Sequence, residues 1–267
     1  MISIPLVKRD LKENWKFLLG SILFFGSYTA LMVGVYDIVR GQEIQTVTQS
    51  FAYYLCMILG IHMGVLSDLN QFLSYTVYGF LFLLIPMVFS IVTARRLMVK
   101  MVRNGMMVWI LSTPNGRSKV GGTQAFFLIM SLAVQTIVIT VVGLISMAVL
   151  PYQGGDPIGF LMINLGAFLL HFLISGFCFF ISCSVNGNKA YYRLSIGFLG
   201  IFFLLHLIGN LEGFFAYANY GTIFAFYQTQ MILNGENRAY LFMTVMGLLG
   251  VFWYWAGAQR FKKKNFT

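Results

Sequence analysis

The chain has 267 residues, of which 58% are hydrophobic and 10% are charged, and its formal net charge is +10. Soluble domains carry about 25% charged residues, so this composition excludes a water-soluble globular protein and indicates an integral membrane protein. The positive charge does not indicate nucleic-acid binding, because it lies at the ends of successive apolar segments. No polar block is large enough to fold separately, so we predict one membrane domain over residues 1–267.

The chain begins with a basic segment that contains Lys8, Arg9, Lys12 and Lys16. These residues precede the first long apolar run, and we predict that they belong to an amphipathic helix lying at the membrane interface. No small-residue cleavage site closes that apolar run. We therefore predict that the first run is a retained membrane span and not a cleaved signal peptide.

Six apolar segments are long enough to cross a hydrocarbon core about 30 Å thick, because a helix rises about 1.5 Å per residue. None of them has Asp, Glu, Lys or Arg in its central part. The sequence therefore predicts an all-α membrane fold. Its six spans are predicted at about residues 17–36, 73–93, 124–150, 158–183, 194–209 and 240–257.

Two other aromatic segments are apolar but are not predicted to cross the membrane. If residues 51–66 crossed, the Arg-rich stretch after residue 93 would move to the outer face, so we predict that they lie along or dip into the outer leaflet. Residues 210–230 are aromatic and interrupted by glycines. We predict that they form a re-entrant segment before the sixth span, where surrounding protein covers the irregular backbone.

The basic residues are distributed very unevenly between the two sides of this topology. With six spans, every Lys and Arg except Arg40 and Arg238 falls on the side that carries both termini. Short loops rich in Lys and Arg remain in the cytoplasm. We therefore predict a multi-pass protein of the cell membrane, bacterial in origin, with both termini in the cytoplasm.

The histidines and cysteines do not form a catalytic or metal-binding pattern. His62, His171 and His206 lie on different segments, without the His-Glu-x-x-His pattern of zinc hydrolases. For His171 and His206, an apolar helical context predicts hydrogen bonds between helices. The cysteines lie in apolar stretches, which is typical of small buried side chains: Cys56, Cys178 and Cys183.

The sequence also lacks the usual means of coupling transport to energy. No charged residue lies at the centre of a span, where an ion-coupled carrier binds its coupling ion. The chain has no Gly-x-x-x-x-Gly-Lys-Ser/Thr loop that would hold a nucleotide. We therefore predict that this chain is not an enzyme and that any ATP is bound, with Mg²⁺, by another polypeptide.

The longest polar stretch is the second cytoplasmic loop, residues 94–123. From Ala94 to Trp109, basic and apolar residues alternate with a helical period, which predicts an amphipathic helix leaving the membrane. Arg95, Arg96, Lys100 and Arg103 would lie on one side of that helix. Met98, Met101, Val102 and Met106 would lie on the other side. A turn is predicted at Ser112–Gly116, before the chain enters the third span.

This loop resembles that of the permease subunit of bacterial type-2 ATP-binding-cassette exporters. In that family a Gly is followed nine residues later by Pro, within a pattern like Gly-Thr-Leu-Glu-Leu-Leu-Leu-Ser-Thr-Pro, and then by a basic residue. This chain matches the pattern at Gly105, Ile110, Leu111, Ser112, Thr113, Pro114 and Arg117. It departs from the pattern at Met106, where Thr is usual, and at Val108, where Glu is usual, and it lacks acidic residues before the Gly.

The resemblance covers nearly the whole chain and implies a specific assembly. The loop helix would be the coupling helix that docks on a separate ATPase subunit, and two permease copies or paralogues would form a homodimer or heterodimer. Residues 8–16 would help to seat the ATPase. The resemblance assigns the coupling role to these residues: Arg103, Gly105, Trp109, Leu111, Ser112, Thr113, Pro114 and Arg117.

Spans rich in Phe, Met and Tyr suit a hydrophobic or amphipathic substrate, such as a peptide, an antimicrobial, a drug or a lipid. The alternative from another class is a membrane protein that transports nothing and binds a toxin or partner enzyme, as immunity and assembly proteins do. An intramembrane enzyme is disfavoured, since its catalytic residues are missing.

Overall fold

The computed structural model describes residues 2–40, 68–112, 116–149, 155–211 and 217–264, with the backbone alone at residues 37–40, 111 and 112. These residues form helices and no strand. Six of the helices are long and apolar enough to cross a membrane, as predicted. The predicted segment 51–66 lies outside the described residues.

The described residues include six spanning helices and four shorter α-helices. The first three are α1 (Ile4–Arg40), α3 (Leu81–Arg103) and α5 (Arg117–Val149); the last three are α6 (Pro157–Ser184), α7 (Asn188–Gly209) and α10 (Asn237–Lys263). The shorter helices are α2 (Leu69–Thr76), α4 (Met106–Ser112), α8 (Tyr217–Tyr220) and α9 (Thr229–Leu233).

The first span and the basic segment before it form one helix. We predicted a separate helix at Lys8–Lys16, but α1 runs without interruption from Ile4 to Arg40. Its only proline, Pro5, lies in the first turn, where the missing N–H has no helical acceptor to lose. Nothing in the sequence ends the helix at residue 16, so the basic segment continues the span.

The second span begins later than predicted. The predicted span started at residue 73, but α2 ends at Thr76 and a turn separates it from α3. In this turn the N–H groups of Val77 and Tyr78 both bond to the Leu73 carbonyl. The turn directs the buried Tyr78 side chain inward, where its hydroxyl donates to Asn164 Oδ1 at 2.9 Å.

The spans are packed to very different degrees. Most of α3 and α6 is buried, whereas less than a third of α1, α7 and α10 is buried. Helix α10 lies against α6 at glycines: a Cβ on Gly176 would come within 3.0 Å of the Gly250 carbonyl oxygen, and one on Gly257 within 3.1 Å of Phe180 Cα. Such contacts bring two backbones close together, as is typical of membrane helices.

Both described histidines form the predicted hydrogen bonds. His171 Nε2 lies 2.8 Å from the Phe82 carbonyl oxygen of α3, and His206 Nδ1 lies 2.9 Å from Asn219 Oδ1 of α8. The carbonyl of Phe82 is the one that residue 86 would normally bond, and residue 86 is Pro. A carbonyl accepts, so His171 Nε2 carries the proton. Cys178 and Cys183 are buried, as predicted.

Candidate functional site

Most of the basic residues lie at one end of the helix bundle, which we call the basic end, whereas Arg40 and Arg238 lie at the opposite ends of α1 and α10. Three sets of contacts bring the chain termini to this end: the Ser3 N–H donates to Thr123 Oγ1 at 3.0 Å, Arg117 donates to the Lys262 and Lys264 carbonyls at 3.1 Å, and Lys264 Nζ donates to the Val185 carbonyl at 2.6 Å. Partial burial lowers the pKa of the Lys264 ammonium. The starts of α1 and α5 therefore lie beside the ends of α6 and α10.

Arg9 connects the first helix to α3 and α4 through side-chain contacts. Its guanidinium lies 2.6 Å from the carboxylate of Asp10 and reaches Met101 Sδ at 2.9 Å and Met106 Sδ at 3.5 Å. Met101 and Met106 lie on either side of the turn between α3 and α4. The Asp10 side chain is only 1% exposed, so Arg9 both neutralises a buried carboxylate and spans this turn.

A second set of contacts joins α1 to the end of α3. Arg96 Nη1 donates to Asn14 Oδ1 at 3.2 Å, and its guanidinium lies 5.4 Å from the Phe17 ring centroid. The Arg95 side chain contacts a different helix, because its guanidinium lies 5.2 Å from the ring centroid of Tyr192 on α7. Both arginines belong to a π-helical turn at Arg95–Val99. Neighbouring arginines in this turn thus bind helices on opposite sides of α3.

The predicted amphipathic helix over Ala94–Trp109 is two helices. Helix α3 ends at Arg103, and Gly105 has a φ of +70°, a conformation that favours glycine and ends the helix. The chain then starts again as α4. This break also changes the buried face, because Met107 is fully buried whereas Met106, predicted on the apolar side, is 38% exposed.

Helix α4 presents apolar side chains outward. Trp109 is 78% exposed and Val108 is 54% exposed, while Met107 of the same helix is buried. Arg103, at the end of α3, is also exposed. We call Arg103, Val108 and Trp109 the outer surface of the basic end. An exposed tryptophan next to another exposed apolar residue is typical of a surface that another protein covers.

The predicted coupling residues occupy several places at the basic end. Arg103, Trp109 and Arg117 are exposed, Gly105 makes the turn, and Arg117 also donates to carbonyls at the end of α10. Lys8, Lys12 and Lys16 are exposed along α1, whereas Arg9 faces the bundle. Leu111 and Ser112 have a helical backbone, and no side-chain position is described for them. Thr113 and Pro114 lie outside the described residues.

The buried half of the site was not identified from the sequence. Leu6, Asp10 and Asn14 are buried at every fourth position of α1, which places them on one side of the helix. This spacing marks an inward face that carries two polar residues. The spacing of these three residues is present in the sequence, but the neighbouring lysines and arginines indicated a helix at the membrane interface instead. Among the described residues, no group of three or more His, Cys, Asp or Glu could hold a metal ion.

We expect Asp10→Ala to loosen α4 without unfolding the spans. Without this carboxylate, Arg9 would no longer be held in the position from which it contacts Met101 Sδ and Met106 Sδ. Breaking a buried pair costs about 3–5 kcal/mol, but Arg9 is 27% exposed and can return to water, so we expect a loss of about 1–3 kcal/mol. Hydrogen–deuterium exchange in Met106–Ser112 should become about five-fold faster or more. Lys12→Ala, at an exposed position of α1, is the control. Equal exchange rates in both variants would contradict the assigned role of Asp10.

No protein-family model matches the sequence, and no curated protein matches it either.

Proposed function

We propose that this chain is the membrane-spanning subunit of an ATP-driven exporter of the type-2 ATP-binding-cassette class. The observation that carries the proposal is helix α4, which lies outside the spans at the basic end and exposes Val108 and Trp109 while Met107 anchors it to the bundle. This is the geometry that a coupling helix requires, because its outer side is exposed for docking and its inner side moves with the spans.

The surroundings of α4 support transmission of force into the bundle. Arg9 ties α1 to both sides of the turn before α4. Lys100 of α3 lies 3.7 Å from the Glu13 carboxylate of α1. A partner that pushed α4 would therefore act on α1 and α3 together. Rigid-body movement of packed helices between two arrangements is a common way to alternate access across a membrane.

The proposal includes an orientation and a location. The basic end would face the cytoplasm of a bacterial cell, because Lys and Arg mark the cytoplasmic side of a plasma-membrane protein. The basic part of α1 would extend the first span to the headgroup level, where Lys8, Lys12 and Lys16 meet anionic lipid. ATP and Mg²⁺ would bind to the partner ATPase, and this chain would catalyse no reaction.

The segment before α10 would be the re-entrant part of the fold. Its described elements are α8, a 3-10 turn at Ile223–Phe226 and α9, all too short to cross a bilayer. Tyr227 is buried, and its hydroxyl donates to the Ile163 carbonyl of α6 at 3.3 Å. Such contacts cover irregular backbone with protein, which is the condition for placing it at membrane depth.

Two permease copies, or this chain and a paralogue, would enclose a path for a hydrophobic or amphipathic substrate, such as a peptide, an antimicrobial, a drug or a lipid. The experiment is co-purification in detergent with the ATPase encoded beside this chain. We expect the double variant Val108→Asp, Trp109→Ala to reduce ATPase recovery about ten-fold or more, since exposed aromatic anchors dominate the energy of an interface.

The matched control is Trp255→Ala, which removes the same side chain from a 59% exposed position on α10. It should leave ATPase recovery unchanged. Equal recovery with both variants would contradict docking on α4. A chain that purifies without an ATPase under every condition would contradict the exporter proposal and favour the immunity or assembly protein that binds a toxin or enzyme.

A further inference from the structure

Helices α3 and α7 run side by side with an open seam between them. Two cavities follow one another here: one lies in the seam, and the other lies beyond the start of α3, between α2, the end of α7 and α9. The second of these, the cup, lies at the end of the bundle away from the basic end and has a volume of about 110 Å³. The first, the trough, continues toward the basic end and has a volume of about 330 Å³. Because α7 is among the least buried of the spans, the trough is open toward the lipid.

The cup is lined by hydrogen-bonding side chains. They include Ser74, Tyr78, His206, Asn210, Tyr227 and Thr229. Three of these hydroxyls already donate their protons: Ser74 to the Gln71 carbonyl, Tyr78 to Asn164 Oδ1 and Tyr227 to the Ile163 carbonyl. Each of these oxygens has lone pairs that can accept, although Ser74 Oγ already accepts from Gln230 Nε2 at 3.0 Å. The cup therefore offers several acceptors to a ligand that carries donors.

His206 adds a further acceptor. Asn219 Oδ1 is an amide oxygen and can only accept, so the proton of His206 lies on Nδ1. Nε2 then carries a lone pair. The His206 ring also packs on Phe224, with 5.2 Å between ring centroids. This contact and the Asn219 bond together hold the imidazole in place.

The chemistry of the cup favours an uncharged headgroup. No charged side chain among the described residues lines it, so a phosphate or a free ammonium would lose water without gaining a counter-charge. A sugar carries several hydroxyl donors and also apolar C–H faces, which suit the tyrosine rings. The cup volume suffices for several water molecules or for part of one sugar ring, whose remainder would lie at the open side of the cup.

The trough suits an acyl chain. Its walls are almost entirely apolar and include Met87, Val88 and Ile91 of α3 and Ile196, Gly200 and Leu204 of α7. The lining extends from Leu84 to Val92 on α3, about 12 Å along the helix, and from Tyr192 to Leu204 on α7, about 18 Å. In a bilayer an unfilled apolar seam takes up lipid chains, because helices gain no hydrophobic energy from closing it.

We propose that the α3–α7 seam binds a neutral glycolipid, such as a glycosyl diacylglycerol, with its sugar in the cup and one acyl chain in the trough. A bound glycolipid would be the substrate class of the proposed exporter, and in that respect the inference rests on the proposed function. Lipid binding requires no ATPase. A binding experiment can therefore contradict the glycolipid proposal without contradicting the exporter proposal, and the co-purification experiment can do the reverse. The observation that carries the glycolipid proposal is the succession of a polar-lined cup and an apolar trough along the same helices, where Leu83 lines the cup and Leu84 lines the trough.

The test uses the purified chain in phosphatidylcholine vesicles. The probe is a monoglucosyl diacylglycerol with a photoactivatable diazirine in one acyl chain, and labelled residues are mapped by mass spectrometry. We expect labelling within residues 84–92 and 196–204, and competition by the unlabelled glycolipid. Phosphatidylglycerol, phosphatidylethanolamine and diacylglycerol with the same chains should compete about five-fold less well or worse, for lack of the sugar hydroxyls.

Two variants distinguish the trough from the cup. Gly200→Leu places a side chain in the trough and should reduce labelling about ten-fold. Its matched control is Gly197→Leu, one turn away, where an added Cβ meets nothing within 4 Å and which does not line the trough. Gly197→Leu should label normally. His206→Phe keeps the ring but removes the acceptor, and it should abolish the preference for glycolipid over diacylglycerol.

Three results would overturn the proposal. Equal competition by all four lipids would mean that the seam takes up ordinary surrounding lipid. Stronger competition by phosphatidylethanolamine would mean that the cup prefers an ammonium group. Absent labelling, combined with disulfide formation between Gly200→Cys copies, would mean that a second copy of the chain occupies the trough.

Discussion

His171→Leu is expected to destabilise the protein by about 2 kcal/mol, and adding Pro86→Ala is expected to recover most of that loss. Pro86 has no N–H and cannot make the usual helical bond to the Phe82 carbonyl, which lies 2.8 Å from His171 Nε2 instead. Without the imidazole, a buried carbonyl remains unpaired, which costs about 1–3 kcal/mol. An alanine in place of Pro86 would supply the missing N–H from within the helix.

This prediction is tested by a double-mutant cycle with denaturant unfolding in detergent micelles. Pro86→Ala alone should change stability by less than about 1 kcal/mol, because the Phe82 carbonyl already has a partner. The two changes should therefore be strongly non-additive, with a coupling energy of about 1–2 kcal/mol. Additive effects would show that His171 stabilises the core by packing and not through this hydrogen bond.

Gly257→Val is expected to lower stability by about 2–3 kcal/mol, because it forces α10 away from α6. A Cβ at this position would lie 2.7 Å from a ring carbon of Phe179 and 3.1 Å from the Cα of Phe180. The ring is buried and the Cα belongs to the backbone, so neither neighbour can move without shifting the helix. The loss should appear as a lower midpoint of thermal unfolding in detergent.

Gly247→Ala is the matched control on the same helix. There an added Cβ meets only Leu169 Cδ2 at 3.6 Å, an ordinary packing distance at the end of a flexible side chain. We expect its unfolding midpoint to stay close to that of the unchanged protein. If Gly257→Val also unfolded at that temperature, the close approach of α10 and α6 would not contribute to stability.

The spans were predictable because the thickness of a bilayer sets the length of an apolar helix. All six appear, in the predicted order along the chain. The ends were less predictable, because they depend on local signals that apolar content does not report. No helix-breaking residue separates Lys16 from the apolar run after it, so α1 continues, whereas the Val77–Phe80 turn divides an equally apolar stretch.

The sequence predicted which stretch of the chain forms the site, but not which residues its side chains contact. Basic residues identified the loop between the second and third spans, and Gly105 does end a helix there. The partners of those residues are distant in sequence and could not be predicted from spacing. The assignment of Arg117 to ATPase docking stays a prediction, and the fold adds a bond to the Lys262 carbonyl, 145 positions away. That contact gives Arg117 a role in joining α5 to α10.

The continuity of α1 has a mechanical consequence. A helix of 37 residues is about 55 Å long and behaves as a stiff rod over that distance. Near one end Arg9 contacts Met106, and toward the other end the Tyr36 ring lies 5.3 Å from that of Phe72 on α2. Arg9 and Tyr36 are about 40 Å apart along the axis, so a tilt of about 5° around the middle displaces each by about 2 Å. A small movement of α4 therefore reaches α2, across the whole thickness of the membrane, through one covalently continuous element.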